Sequence, residues 1–152
     1  MVAAPFFFML FAILELGLVF VTDSTIENAV METGRLVRTG QAQTSAMTEE
    51  NFKMEVCDRM TFMATDCENR TKVDVRVIEQ FRDVDVPDPM ADNLTFEEDE
   101  LLFDTGQPGS LILIRVWYEQ PLMTPFLSDA LSRLDNGKVM MTSTTTFRNE
   151  PY

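Results

Sequence analysis

The side chains in this sequence that could carry chemistry are few in kind. Two cysteines, Cys57 and Cys67, stand ten residues apart, Asp and Glu outnumber Lys and Arg by 25 to 12, and there is no histidine. Without His the commonest general base is missing, and no Gly-rich phosphate loop, G-x-S-x-G elbow or clustered ligand set is present. Thiol catalysis is disfavoured when no imidazole can take the proton. A zinc site would need more ligands than two cysteines. The chain therefore reads as a non-enzyme, with no catalytic, cofactor-binding or metal-binding residues assigned and no cofactor expected.

Nine carboxylates fall between Asp83 and Asp104. Asp83, Asp85 and Asp88, or the run Glu97 to Glu100, could offer hard oxygens to Ca²⁺, but their spacing matches no calcium-loop signature. The stretch is expected to be a long exposed connection of ionised carboxylates. Leu101, Leu102 and Phe103 are expected to pin its end to the core or to a partner.

The one acidic residue in an unusual setting is Glu15, the sole charge in MVAAPFFFMLFAILELGLVFVT, residues 1–22. A helix of that length rises about 33 Å against a bilayer core of about 30 Å. Its apolar residues surround the axis on all faces, where a core helix would keep a polar stripe. Residues 1–22 are thus expected to form a transmembrane anchor contacting the lipid bilayer. No basic start or small-x-small site precedes Asp23, so the segment does not read as a cleaved signal. An ionised carboxylate at that depth costs at least a few kcal/mol, estimated roughly, unless it is protonated or paired. Two readings of Glu15 stay open. It could dock against a basic side chain, an amine or a hydroxyl on a neighbouring helix, with Gly17 permitting close approach. The blander reading is a neutral acid close enough to the outer interface to reach water.

The elements that position these residues follow from periodicity. The first basic residue is Arg35, and Asp23, Glu27 and Glu32 follow the span at once, compatible with residues 23–152 forming an extracytoplasmic domain. Ile26, Ala29, Val30, Thr33, Gly34 and Val37 recur at helical spacing, so the first helix should continue out of the membrane as an amphipathic rod and stop at Gly40. Gln41 to Met47 reads as a polar linker. A second helix should begin at Thr48 and run to about Met63, with Phe52, Val56, Met60 and Met63 on one face.

Three segments read as strands. Lys72–Phe81 alternates Val73, Val75 and Val77 with Asp74 and Arg76, which implies one wet face. Leu111–Glu119 is continuously apolar and should be central, burying Trp117 and Tyr118. Lys138–Arg148 is rich in β-branched residues and closes the chain. Between the last two, residues 121–134 suggest a loop and a short helix, capped by Ser128 and ended by the Asp135-Asn136-Gly137 turn. The fold class is therefore α+β: a transmembrane helix running into an amphipathic one, packed with a second helix on a small antiparallel sheet, as in pilins. In such an exported domain the even cysteine pair reads as one Cys57–Cys67 disulfide, stabilising by roughly 2 to 3 kcal/mol in the loop-entropy model. With a net charge of −13 the chain would be repelled by phosphate backbones, so nucleic acid is not expected as a partner.

The opening VAAPFFFMLFAILELGLVF, the continuation TIENAVMETGRLVRTGQAQ, the Cys57 and Cys67 pair and the ending FRNEPY together resemble the TadE/TadG-like family. Members are minor pilins or pseudopilins of tight-adherence (Tad/Flp) pilus systems. The resemblance implies a protein anchored in the bacterial inner membrane with its C-terminal domain in the periplasm. It further implies partners among other membrane-anchored pilin-like or pilus assembly proteins, and incorporation in a pilus. Prepilins of this kind share a Gly cleavage point followed by a short stretch ending in Glu-Phe; no such stretch precedes the apolar run here, so processing is not carried over. An alternative function, compatible with the same residues, is an accessory single-pass subunit of a respiratory or photosynthetic inner-membrane complex.

Overall fold

The computed structural model describes residues 3–60, 66–82, 86–90, 96–132 and 137–152. Helix α1 runs without interruption over Ala3–Arg38. Its second half buries Thr22, Ile26, Ala29, Val30, Thr33, Gly34 and Val37, so the stripe at helical spacing is the face that packs. Gly34 sits where α1 crosses the sheet, and a Cβ there would meet the Phe147 ring at 3.3 Å. Arg35 and Arg38 in the last turn suit the negative end of the helix dipole. The helix stops at Gly40, whose φ of 79° is left-handed and whose N–H donates to the Val37 carbonyl at 3.2 Å.

Residues 41–47, read from sequence as a linker, hold a further single turn of helix, α2 (Gln41–Thr44), with Ala42 buried. Polar residues dominate α2, and its one apolar side chain, Ala42, is too weak a periodic signal to reveal it. Helix α3 (Glu49–Arg59) starts as expected: Thr48 is its N-cap, the hydroxyl accepting from the Asn51 N–H at 3.3 Å. It buries Phe52, Val56 and Cys57, and Met60 just beyond is also buried. Met63 lies outside the described residues. A short helix α4 (Cys67–Arg70) leads into the sheet.

The sheet is an antiparallel meander in the order β1 (Thr71–Ile78), β2 (Leu111–Pro121), β3 (Lys138–Arg148). Register runs Val75 opposite Ile114 and Ile114 opposite Thr145. Period-2 alternation then places Val73, Val75, Ile112, Ile114, Val116 and Tyr118 on one face, where they meet α1 and α3 in one core. The architecture is α+β with an apolar N-terminal helix, as the periodicities imply.

The other face departs from expectation. Asp74 does not face water; its side chain is fully buried. Register sets it directly opposite Arg115. Arg115 Nε donates to its carboxylate at 2.9 Å and Arg76 Nη2 donates at 2.6 Å. The long β1–β2 connection closes over this cluster. The Leu102 N–H donates to Asp74 at 3.0 Å, Arg76 donates to the Glu100 carbonyl at 2.9 Å, and Arg115 donates to the Pro87 carbonyl at 2.8 Å. Arg115 also stacks on Trp117, and Phe96 meets the same indole edge-on. Two guanidiniums around one carboxylate make burial tolerable where a lone Asp would not be. Phe103 pins the end of the connection as expected: it pairs with Val75 on the outer edge of β1 and meets Phe52 edge-on, whereas Leu102 remains exposed.

The β2–β3 connection holds α5 (Pro125–Leu131). Thr124, not Ser128, stands at its N-cap position; Ser128 lies inside the helix and donates its hydroxyl to the Gly137 carbonyl at 2.8 Å. Pro125 sets the first helical residue and so fixes the start earlier than Ser128 suggested. Asp135 and Asn136 lie outside the described residues.

Candidate membrane anchor and docking face

Helix α1 divides by exposure rather than by backbone. From Phe6 to Val21 its large apolar side chains point outward on all faces, Phe6, Met9, Phe11, Ile13, Leu14, Leu18 and Phe20 each being more than half exposed. From Thr22 onward one face is sealed against the domain. The apolar half is long and hydrophobic enough to cross a membrane, and none of its most apolar window is buried within the chain. Each Å² of apolar surface left in water forgoes about 25 cal/mol, so a bare collar of Phe and Leu needs another solvent or a partner. At the junction, the Thr22 hydroxyl donates to the Leu18 carbonyl at 2.9 Å and the Thr25 hydroxyl to the Val21 carbonyl at 2.7 Å. Both hydroxyls return a hydrogen bond to a carbonyl one turn back in the same helix.

Glu15 meets donors from its own chain. Its carboxylate accepts the backbone N–H groups of Met123 and Thr124, the latter at 2.9 Å, at the entrance to α5. The contact folds the β2–β3 connection against α1 and leaves a cleft of 480 Å³ between Phe8, Phe11, Leu14 and Leu18 on one side and Leu122 and Pro125 on the other. The sequence points to a basic side chain, an amine or a hydroxyl as the docking partner; backbone amides more than a hundred residues away leave no such signature. Gly17 is exposed, and nothing lies within 4 Å of where a Cβ would stand. Its surface is open to a neighbour, and no element among the described residues packs on it.

Cys57 and Cys67 are joined by a disulfide, their Cα atoms 5.8 Å apart and both residues buried. The bond ties α3 to α4 at the point where the chain enters β1, and the Thr71 hydroxyl lies 3.5 Å from the Cys67 sulfur. Of the residues considered for calcium, Asp83 and Asp85 lie outside the described residues. Among the described residues no three His, Cys, Asp or Glu side chains converge as a metal would require.

The C-terminal tail completes the domain side of α1. The Glu150 N–H donates to the Arg38 carbonyl and the two side chains pair at 2.9 Å. The Tyr152 ring covers Gly40 so closely that a Cβ there would collide with it. Asn149 is buried and donates to the carbonyls of Thr105 and Gln107, fastening the tail to the β1–β2 connection.

Residues 1–35 match the TadE-like protein family. The TadE-like match covers the exposed collar and most of the packed half, ending three residues before α1 does. It bears out the resemblance carried by the opening residues. No curated protein and no solved structure matches the chain. The TadE-like family is a pilus-associated structural family, and the match together with the apolar helix fits a membrane-anchored, Tad pilus-related protein.

Proposed function

We propose that this chain is a minor pilin-like, TadE-like subunit that acts in Tad/Flp pilus assembly through helix packing and protein–protein contacts. The observation that carries the reading is the uncovered apolar collar of α1, continuous with a domain-packed half and lying wholly inside the TadE-like match. In this reading residues 1–22 are the anchor in the bacterial inner membrane. Residues 23–152 form a periplasmic α+β domain, whose oxidising surroundings suit the Cys57–Cys67 disulfide. Its partners are other membrane-anchored pilin-like or pilus assembly proteins, reached through α1 and the exposed surfaces of the domain, and the subunit enters the pilus.

Deleting the gene should abolish or shorten surface pili, and a plasmid copy should restore them. Normal piliation in the deletion strain, together with stoichiometric co-purification of the protein with a respiratory or photosynthetic complex in mild detergent, would replace this reading with that of an accessory subunit.

A further inference from the structure

The β2–β3 connection is unusual in what it shows to its surroundings. Between Pro121 and Leu131 the only charge is Asp129, and there is no Lys or Arg. Met123 is 95% exposed, Phe126 66% and Leu131 37%. Glu15 holds the backbone at Met123 and Thr124 against α1. Glu15 lies eight residues before Asp23, about 12 Å along the helix axis from the first charge that follows the span. Over that interval α1 still exposes Leu18, Phe20 and Val21. Whatever solvent covers those three side chains also reaches the tip of the connection.

The geometry points to a second membrane contact: the segment 122–131 lies in the periplasmic boundary layer of the bilayer, with Met123 and Phe126 among the lipid chains and Glu15 holding it at that depth. The inference rests on the anchor reading of α1 proposed above. The occupant is lipid because the exposed face of the segment is continuous with the exposed collar of the anchor, and the two share one cleft. The hydrogen bonding agrees. Acyl chains offer neither donors nor acceptors, so on the hydrocarbon side of that layer two amides ahead of a helix and a carboxylate in an apolar span are best satisfied by one another, as they are here. Asp129 fixes the depth at the head-group boundary rather than the hydrocarbon centre, a placement of about 5 to 10 Å for amphipathic segments. Glu15 thereby becomes a positioning residue within its own subunit.

The test uses the full chain in phosphatidylcholine nanodiscs with the Cys57–Cys67 disulfide kept oxidised. A nitroxide is attached at Met123→Cys, Phe126→Cys, Phe20→Cys or Asp99→Cys, all exposed positions. Accessibility to oxygen and to a water-soluble nickel chelate is read by power saturation. The inference expects an oxygen-to-nickel ratio at positions 123 and 126 several-fold above that at 99 and close to that at 20. A lipid-like ratio at 20 with a water-like ratio at 123 and 126 overturns the inference and leaves the anchor standing. Low access of both reagents at 123 and 126 also overturns it, assigning the face to a second protein chain. A water-like ratio at 20 overturns the anchor reading itself. Adding Glu15→Ala to Met123→Cys should move the label toward the water-like ratio; an unchanged ratio removes Glu15 from the positioning role.

Discussion

The cluster around Asp74 allows the sharpest prediction about stability. Its fully buried carboxylate takes donors from Arg76, from Arg115 and from the Leu102 N–H, with both guanidinium groups only 12% exposed. Asp74→Asn keeps the shape but removes the charge that two buried cations share. It also turns an NH₂ toward at least one guanidinium, so donor faces donor. Breaking a buried pair from one side costs about 3 to 5 kcal/mol, because the remaining charges stay desolvated. A loss of about 3 kcal/mol lowers the folding constant more than a hundredfold and, at about 1 to 3 kcal/mol per molar urea, moves the midpoint down by about 1 to 3 M. The measurement is urea unfolding of the full chain in detergent, followed by the fluorescence of Trp117, the single tryptophan, which packs between Arg115 and Phe96. Asp74→Asn combined with Arg115→Gln should cost less than the sum of the two single changes, since each removes the other's unpaired partner. A midpoint for Asp74→Asn within experimental scatter of the unsubstituted chain would refute the argument that this polar cluster holds the β1–β2 connection on the sheet.

Two further outcomes follow from named contacts. Gly40→Ala forces a Cβ into a left-handed position under the Tyr152 ring and should cost about 1 to 2 kcal/mol from the backbone alone, visible as a lower melting temperature; Tyr152→Ala in the same chain should recover the part due to collision. Cys57 and Cys67 should resist alkylation until reduced, and Cys57→Ala with Cys67→Ala should cost about 2 to 3 kcal/mol; free labelling of both thiols in the native protein would contradict the disulfide and the periplasmic reading together.

What could be read from the amino-acid order is what local periodicity encodes. The buried stripe from Ile26 to Val37 emerged because a helix repeats every 3.6 residues, and β3 has the bounds its β-branched run implied. Thr48 capped its helix because a hydroxyl before acidic first-turn residues is a local signal. The misreadings share a cause. Asp74 looked wet because strand alternation says which residues share a face, not what covers that face; Arg115 and the loop that closes over it come from distant segments. Glu15 looked in need of a basic partner because backbone amides at Met123 and Thr124 carry no side-chain signature. Ser128 reads as a cap because it is a hydroxyl residue ahead of apolar Ala130 and Leu131, yet Pro125, suited to a first helical position, sets an earlier start that the hydroxyl signal alone does not mark.

The unbroken course of α1 has a mechanical consequence. Its 36 described residues make a rod of about 54 Å, half of it gripped by the domain, with no loop or glycine-proline joint between the grips. Leaning such a rod by about 20°, an ordinary tilt for a spanning helix, sweeps its far end sideways by about 18 Å. In the anchor reading proposed above, the domain swings with α1 as one lever, and a force that rotates or draws the N-terminal half is carried along the helix to the sheet.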